Sequence, residues 1–403
     1  MFVPLRLHAR RGACAAAACG VAYLELDRRY RKPVNSLDLF GSTKEVLGQR
    51  AGQYVIGQEL GKGSFSVVIE VTEKATGLQR AIKLVDKLDK GHGMDMALEE
   101  LAVMRTAGGH PHIVSLIDDF DTPNAHAIVL ELLEGGELFD RVCELGRFSE
   151  AEAADVVRQI ALALQHLHGR GIVHRDVRPE NVMYVSRDME QPHIKLCDFG
   201  LSLRNAGHGG GLSGRYGTLA YMAPEMHLAS TYGREVDAFA LGVVAYVLLS
   251  GYHPFDPQGD MADDEMMRRI IEGTRSTTSI HIMPRCLPSA PHPLAGKWSC
   301  DEDDWSNVSN DAKDVVRRLL HPDPRKRATV DDVLAMAWLS RTTAERSGGG
   351  GGAKQEGDAR RKLSRLTRSR ALPLEVIQPA SGHKRRRLKE WWRNIEEWWR
   401  ARG

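Results

Sequence analysis

Two acidic residues and an amide in the middle of the chain have the types and the spacing for phosphoryl-transfer chemistry. Asp176 and Asn181 lie five residues apart in the segment 174–181, and Asp198 begins the triplet Asp-Phe-Gly seventeen residues later. The first carboxylate can accept the proton of an attacking hydroxyl, while the amide and the second carboxylate can hold Mg²⁺ on a triphosphate. The alternative is that these are two acidic loops of an unrelated α/β protein.

A glycine-containing turn between two strand-like runs, 54–60 and 67–71, has the composition of a phosphate-binding loop. Its residues are Leu60, Gly61, Lys62, Gly63, Ser64, Phe65, Ser66, Val67 and Val68. Glycine permits positive φ and leaves room for backbone amides to approach phosphate. A second strand-like run, Ala81-Ile82-Lys83, places a lysine twenty residues after Gly63.

Together these motifs resemble those of the eukaryotic protein kinases. The resemblance covers residues 54–340 and implies a two-lobed α+β fold. We expect a small, mainly antiparallel β lobe with one helix at 54–133 and a large, mainly helical lobe at 134–340. The resemblance also implies ATP as the phosphoryl donor, Mg²⁺ as the cofactor and protein serine or threonine as the acceptor.

By the same resemblance, Lys83 holds the α- and β-phosphates and a glutamate on the following helix orients it. Apolar residues at 97, 98, 101 and 104 recur at helical spacing, and both Glu99 and Glu100 lie on this segment. We predict that Glu100 pairs with Lys83 and that Glu99 is a surface charge, with the opposite assignment as the alternative.

The apolar run 128–133 resembles the strand and hinge that bind adenine through the backbone groups of Glu131 and Leu133, with Leu130 guarding the pocket behind the base. Val68, Ala81 and Met183 are the expected apolar sandwich around the base. Ordinary core packing is the alternative for each of these three side chains.

In the catalytic loop, the resemblance assigns the base to Asp176, the metal to Asn181 and Asp198, and a hydrogen bond with the Asp176 region to Thr218. Arg178 departs from the family, because serine/threonine kinases usually have lysine there. Arginine keeps the positive charge, but its planar fork is bulkier. The alternative function is therefore a catalytically weak pseudokinase or scaffold.

The activation segment runs from Asp198 to Glu225. Its middle is rich in glycine, and Gly214 stands where relatives place a phosphothreonine. Ser213 and Tyr216 are the substitutes that the segment offers. We therefore expect weak or absent dependence on phosphorylation of this segment.

Further helices are predicted at 154–167, 237–249 and 311–320, and a surface insertion is predicted between residues 274 and 298. Asp237 is expected to hold the backbone of the catalytic loop, and Arg327 is expected to pair with Glu225. The run 134–141 is most similar to the calcium/calmodulin-dependent kinases. In that group, a glutamate at the place of Glu137 reads an arginine three residues before the phosphoacceptor; the alternative is an acid that merely favours the start of a helix.

Composition narrows the remaining possibilities. A net charge of +2 on 403 residues does not favour polyanions, so we expect no nucleic-acid partner. No apolar run reaches 18 residues, which predicts no transmembrane helix. Six scattered cysteines without C-x-x-C spacing favour a reducing compartment. Nothing in the sequence indicates an oligomeric state.

In the N-terminal extension, residues 1–50, the stretch up to Leu24 has no acidic residue but contains three arginines and an alanine-rich run. A disordered or helical leader, an organelle presequence and a weak signal peptide are the alternatives, in that order. We expect a cytoplasmic location, with nuclear localisation through 384–387 and organelle targeting by 1–24 as further options.

The C-terminal tail contains a flexible basic linker at 341–383 and a predicted amphipathic helix at 384–403. Ser364 follows Arg361 by three residues, which suggests a pseudosubstrate or autophosphorylation site. The apolar face of the helix is formed by Leu388, Trp391, Trp392, Ile395, Trp398 and Trp399. Calmodulin is the first predicted partner of this basic helix, and an anionic membrane or the kinase domain itself is the alternative.

Overall fold

The computed structural model describes residues 47–62, 66–87, 92–122, 124–189, 192–204, 211–214, 216–228, 231–256, 261–275 and 305–340. The N-terminal leader, Gly63–Phe65, the greater part of the predicted insertion and the whole C-terminal tail lie outside these residues. Within them, no helix combines the length and hydrophobicity needed to cross a bilayer.

The small lobe is a five-stranded antiparallel sheet with one helix, α1 (His92–Ala107). Its strands are β1 (Tyr54–Lys62), β2 (Ser66–Glu73), β3 (Gln79–Asp86), β4 (Leu116–Asp121) and β5 (Ala125–Glu131), in the order β1-β2-β3-β5-β4. Alternate residues of β2 face opposite sides of the sheet. Val67, Ile69 and Val71 join the core of the lobe, whereas Val68 belongs to a separate apolar cluster towards the cleft.

The large lobe is mainly helical. Its elements are α2 (Leu138–Leu145), α3 (Glu150–His168), β6 (Val182–Tyr184), β7 (Ile194–Leu196), α4 (Pro224–Leu228), α5 (Glu235–Ser250), α6 (Asp263–Arg275), α7 (Asn310–Leu319), α8 (Val330–Ala335) and α9 (Ala337–Ser340). The expected two-lobed fold is therefore confirmed.

Helix α5 forms the centre of the large lobe because it is apolar on all sides and buried along nearly its full length. Helix α3 packs against it and starts at a capping box formed by Ser149 and Glu152. This cap places the start of α3 four residues before the predicted 154. The rigid pair α3–α5 supports the short loops that hold the candidate site.

Candidate active site

The catalytic loop between α3 and β6 is held from below by a buried carboxylate. Asp237, on α5, accepts hydrogen bonds from the backbone N–H of His174 at 2.9 Å and of Arg175 at 2.8 Å. It also bonds His168 Nε2 at 2.8 Å. Burial alone would raise the pKa of Asp237, but these donors lower it overall. The predicted role of Asp237 is confirmed.

Asp176 lies in the centre of a network of three donors. Oδ2 accepts from Asn181 Nδ2 at 2.8 Å, and Oδ1 accepts from both the backbone N–H and the hydroxyl of Thr218 at 3.1 Å. An ionised carboxylate has about four acceptor positions. Among the described residues three are filled, so one position on Oδ2 is left for a further donor.

Arg178 points into this network. Its Nε and Nη2 donate to the two oxygens of Glu180 at 3.0 and 2.5 Å, and Nη1 donates to the hydroxyl of Thr218. Burial by itself lowers the pKa of Arg178, but the ion pair with Glu180 raises it well above its ordinary value. The guanidinium therefore stays charged two residues from Asp176. The two hydrogen bonds to one carboxylate identify Glu180 as the ion-pair partner of Arg178. The spacing of the two residues in the sequence did not predict this pair.

Asp198 lies two residues after the end of β7 and adopts φ 62°, an unusual conformation for a non-glycine residue. Its Oδ1 accepts from the N–H of Gly200 at 3.1 Å. Phe199 is buried, and its ring contacts His174 with 5.2 Å between centroids. Burying Phe199 turns the half-buried Asp198 carboxylate towards the cleft, where it acts electrostatically on Glu100.

Lys83 of β3 and Glu100 of α1 form a buried ion pair within the small lobe. Lys83 Nζ lies 2.8 and 2.7 Å from the two oxygens of Glu100, and both side chains are buried. Burial and the carboxylate of Asp198 raise the pKa of Glu100, and Lys83 opposes the shift. Glu99 instead pairs with the exposed Arg204 at 3.0 Å. The structure thus brings Lys83 together with the predicted glutamate.

The predicted adenine pocket is lined by a small apolar cluster. Leu60, Val68 and Ala81 are buried together, with Leu130 and Leu132 packed against them. The side chains of Leu133 and Met183 belong to the large-lobe core. That of Val67 faces the small-lobe core, so its predicted contribution to nucleotide binding is limited to its backbone.

The structure describes only part of the predicted phosphate-binding loop. Gly61 and Lys62 end β1, and Ser66 begins β2. Gly63, Ser64 and Phe65 lie outside the described residues. The predicted contact of these residues with phosphate stays a prediction.

Glu131 has a side-chain role that the sequence did not suggest. Its Oε1 accepts from Lys195 Nζ at 2.6 Å and from the N–H of Ser115 at 2.6 Å. Lys195 is on β7, three residues before Asp198, so the pair ties the hinge to the metal loop. The only signal in the sequence is a lysine within an apolar strand.

The residues fit a Mg²⁺–triphosphate at one specific point. Oδ1 of Asn181 is buried without a hydrogen-bond partner among the described residues, because Nδ2 of the same amide is used on Asp176. An unpaired buried acceptor is costly unless a ligand fills it. Magnesium prefers oxygen ligands and is usually held by one or two protein groups plus phosphates and water. No group of three or more His, Cys, Asp or Glu in the described part could hold a metal instead.

Comparison with known proteins agrees with this geometry. A sequence profile described as "Protein kinase domain" matches residues 54–339. The chain is 36% identical over 291 residues to human calcium/calmodulin-dependent protein kinase type 1B, which covers 72% of this chain and 76% of the relative. It is 33% identical over 375 residues to the human type IV enzyme, covering 92% of this chain and 72% of that one.

A further relative, the probable serine/threonine-protein kinase pXi of Dictyostelium discoideum, is 36% identical over 295 residues. The match covers 72% of this chain but only 36% of that protein. The chain therefore belongs to the protein kinase family, in its serine/threonine class, and is similar to the calcium/calmodulin-dependent kinases.

Proposed function

We propose that the chain is an active kinase that transfers the γ-phosphoryl group of ATP to serine and threonine of proteins, with Asp176 as the catalytic base. The observation that supports this most strongly is the set of hydrogen bonds that the Asp176 carboxylate accepts. Three donors from Asn181 and Thr218 fix its orientation, and one acceptor position remains. A base positioned in this way contributes roughly 10²–10⁴ to the rate.

Lys83 is proposed to hold the α- and β-phosphates, and Glu100 to hold Lys83. The pair is buried, and Lys83 lies two residues after Ala81 of the apolar cluster that is proposed to receive adenine. The ammonium group donates to both oxygens of Glu100. The pair thus fixes the position of the lysine.

Asn181 and Asp198 are proposed to hold Mg²⁺, through the unpartnered Oδ1 and the half-buried carboxylate. When bound, Mg²⁺ neutralises charge on the phosphate oxygens. Asn181 orients two groups at once, because its Nδ2 donates to the carbonyl and the carboxylate of Asp176 at 2.8 Å. The amide therefore couples the position of the metal to that of the base.

Arg178 is proposed to stabilise charge at the γ-phosphate in place of the usual lysine. The pairing with Glu180 fixes the fork, and Nη1 reaches the Thr218 hydroxyl that also contacts Asp176. A weak pseudokinase is the alternative, because an arginine bound by Glu180 is less free to reach a phosphate.

A radiolabel assay tests the activity. The purified chain is incubated with labelled ATP, Mg²⁺ and a peptide with Arg three residues before its only serine. We expect Asp176→Asn to reduce transfer at least a hundredfold while its melting temperature stays within a degree or two. Equal, substantial transfer by the wild type and this variant would refute the assignment of the base, and absence of transfer by the wild type would favour the pseudokinase.

Glu137 is proposed to read the arginine at position −3 of the substrate. It is half-buried, precedes α2 and makes no capping hydrogen bond to that helix, which supports a role other than capping. Replacing Glu137 by Gln should raise KM for the Arg peptide about tenfold and leave KM for an Ala peptide unchanged. An equal change for both peptides would favour the helix-start alternative.

The tail is proposed to regulate the enzyme, with Ser364 as a pseudosubstrate or autophosphorylation site and 384–403 as a calmodulin-binding helix. The support is the sequence pattern and the naming of the two human relatives as calcium/calmodulin-dependent. Truncation at Ser347 should raise basal activity, and a pull-down with calmodulin should require Ca²⁺ and residues 384–403. Binding to anionic vesicles instead would favour the membrane alternative. The cytoplasmic or nuclear location stays a prediction.

A further inference from the structure

The guanidinium of Arg175 is buried next to the catalytic base and forms no ion pair with any residue that the structure describes. Its Nε donates to the carbonyl of Leu201 at 2.5 Å, and Nη1 donates to the hydroxyl of Tyr232 at 3.4 Å. The ring of Tyr216 lies over it, with 4.6 Å between Cζ and the ring centroid. A buried cation needs compensation, and the negative face of an aromatic ring supplies part of it.

The ring fits over Arg175 because residue 214 is glycine. A Cβ at position 214 would lie 2.4 Å from Cε2 of Tyr216, far closer than two nonbonded carbons approach. The φ of Gly214 is 87°, which glycine adopts without strain. Gly214 also has no hydroxyl that could be phosphorylated. The absence of a side chain at 214 and the position of the ring at 216 therefore depend on each other.

The segment that carries this ring continues directly to the catalytic base. Gly217 packs so closely on the backbone of Arg175 that a Cβ there would lie 2.5 Å from the Arg175 oxygen. Thr218 then donates its two hydrogen bonds to Asp176. Anchoring Tyr216 on Arg175 thus fixes the chain two residues before the main partner of the base.

We propose that Tyr216 is a positioning residue for phosphoryl transfer: its ring, stacked on Arg175, keeps the activation segment and the catalytic loop in register without a phosphate. The proposal rests on the kinase activity proposed above. It assigns the effect to the face of the ring and not to the hydroxyl. Phenylalanine should therefore replace tyrosine, and an aliphatic side chain of similar size should not.

The test compares Tyr216→Phe, Tyr216→Leu and the matched control Ser213→Ala in the full chain after phosphatase treatment. Ser213 is exposed in the same segment and is the other hydroxyl that could be modified. We expect Tyr216→Phe and Ser213→Ala to keep kcat within about twofold. Tyr216→Leu should lower kcat about tenfold with little change in KM for ATP, the factor that corresponds to an ordinary cation–π contact. Loss of wild-type activity after phosphatase treatment, or full activity of Tyr216→Leu, would overturn the proposal.

Melting temperatures give a second readout that does not require activity. Gly214→Ala should lower the melting temperature of the wild type by more than it lowers that of Tyr216→Ala, because the clash exists only when the ring is present. Equal losses in the two backgrounds would overturn the proposal. If the wild type transfers no phosphate at all, the proposed function fails, and this comparison still decides whether the ring occupies its assigned place.

Discussion

The two loops that present the catalytic carboxylates share an unusual backbone but are held in different ways. Arg175 in the base loop has φ 67° and Asp198 in the metal loop has φ 62°. The first is clamped by Asp237, 62 residues away on a buried helix, whereas the carboxylate of the second accepts a bond from Gly200 in its own loop. Positive φ costs about 1–3 kcal/mol at a non-glycine residue, so each conformation needs support.

The difference teaches what each loop must do. In the proposed function the base has to meet a hydroxyl in one orientation, and its loop is fixed by long-range contacts to helix α5. The metal loop is proposed to exchange ligands when nucleotide binds, and its carboxylate is only half-buried. Between them, Asn181 contacts Asp176 with its nitrogen, and its oxygen is the proposed ligand of the metal.

The largest effect is expected from breaking the clamp of the base loop. Asp237→Asn places an amide where three donors converge, so at least one donor loses its acceptor and the free energy of unfolding falls by about 3 kcal/mol. Activity should fall more than a hundredfold. Calorimetry and kcat measure both. The control Asp331→Asn changes an exposed carboxylate and should have little effect; a similarly mild result for Asp237→Asn would contradict the clamp.

The next effect concerns the buried lysine of the small lobe. Glu100→Gln leaves a buried ammonium without its anion, which costs about 3 kcal/mol and should lower kcat/KM for ATP about a hundredfold. Glu99→Gln is the matched control, because its pair with Arg204 is exposed and worth at most about 1 kcal/mol. If the two variants behaved alike, the assignment of Glu100 would be wrong.

A smaller effect is expected from restoring the usual lysine at position 178. Arg178→Lys cannot keep the fork on Glu180 and the contact with Thr218 together, so kcat should fall about three- to tenfold. Arg318→Lys, in an exposed pair on α7, controls for the substitution itself. A gain of activity would show that arginine impairs this site, as the pseudokinase alternative requires.

The effect that is smallest at neutral pH is a pH dependence of stability, which comes from a histidine bonded to the activation segment. His253 Nε2 bonds the carbonyl of Ala220 at 2.9 Å, and its Nδ1 accepts from the N–H of Phe255 at 3.3 Å, so only neutral imidazole satisfies both. Burial lowers the pKa of His253 to about 3. Below pH 6.5 the unfolded chain therefore binds a proton at His253 that the folded chain does not bind. The stability that the buried neutral ring contributes above pH 6.5 is lost as the pH falls.

The expected slope is about 1.4 kcal/mol per pH unit between pH 6 and 4. Urea unfolding of the wild type and of His253→Gln measures it, and the variant should lack this contribution. The stability contributed by Asp237 should persist to lower pH than that contributed by His253. Because the pKa of Asp237 is lowered in the folded chain, its contribution is lost only as the pH falls below about 4. Equal slopes for wild type and variant would contradict the account of His253.

The sequence predicted the features that depend on recognisable motifs. It missed contacts between two side chains that are distant in the sequence. The two lobes, the pair Arg327–Glu225 and the contact of Thr218 with Asp176 followed from the resemblance and are confirmed. Helix ends shifted by a few residues because caps such as Ser149 decide them locally.

Other contacts could not be read from spacing. Lys195 and Glu131 are 64 residues apart, and nothing in either strand marks them as a pair. The glycine at 214 suggested only that a phosphosite is missing. Its reason, the ring of Tyr216, requires the fold that brings Arg175 beneath the segment.

The most direct test of the central claim measures ATP binding and phosphoryl transfer separately in variants of the two carboxylates. ATP affinity is titrated with and without Mg²⁺ for the wild type, Asp176→Asn and Asp198→Asn, and single-turnover transfer is measured on the same proteins. The account predicts that Asp176→Asn binds Mg²⁺–ATP within about twofold of the wild type but transfers roughly 10²–10⁴ more slowly, and that Asp198→Asn loses the strengthening of ATP binding by Mg²⁺. Unchanged transfer by Asp176→Asn, or Mg²⁺-dependent binding that survives in Asp198→Asn, would contradict it.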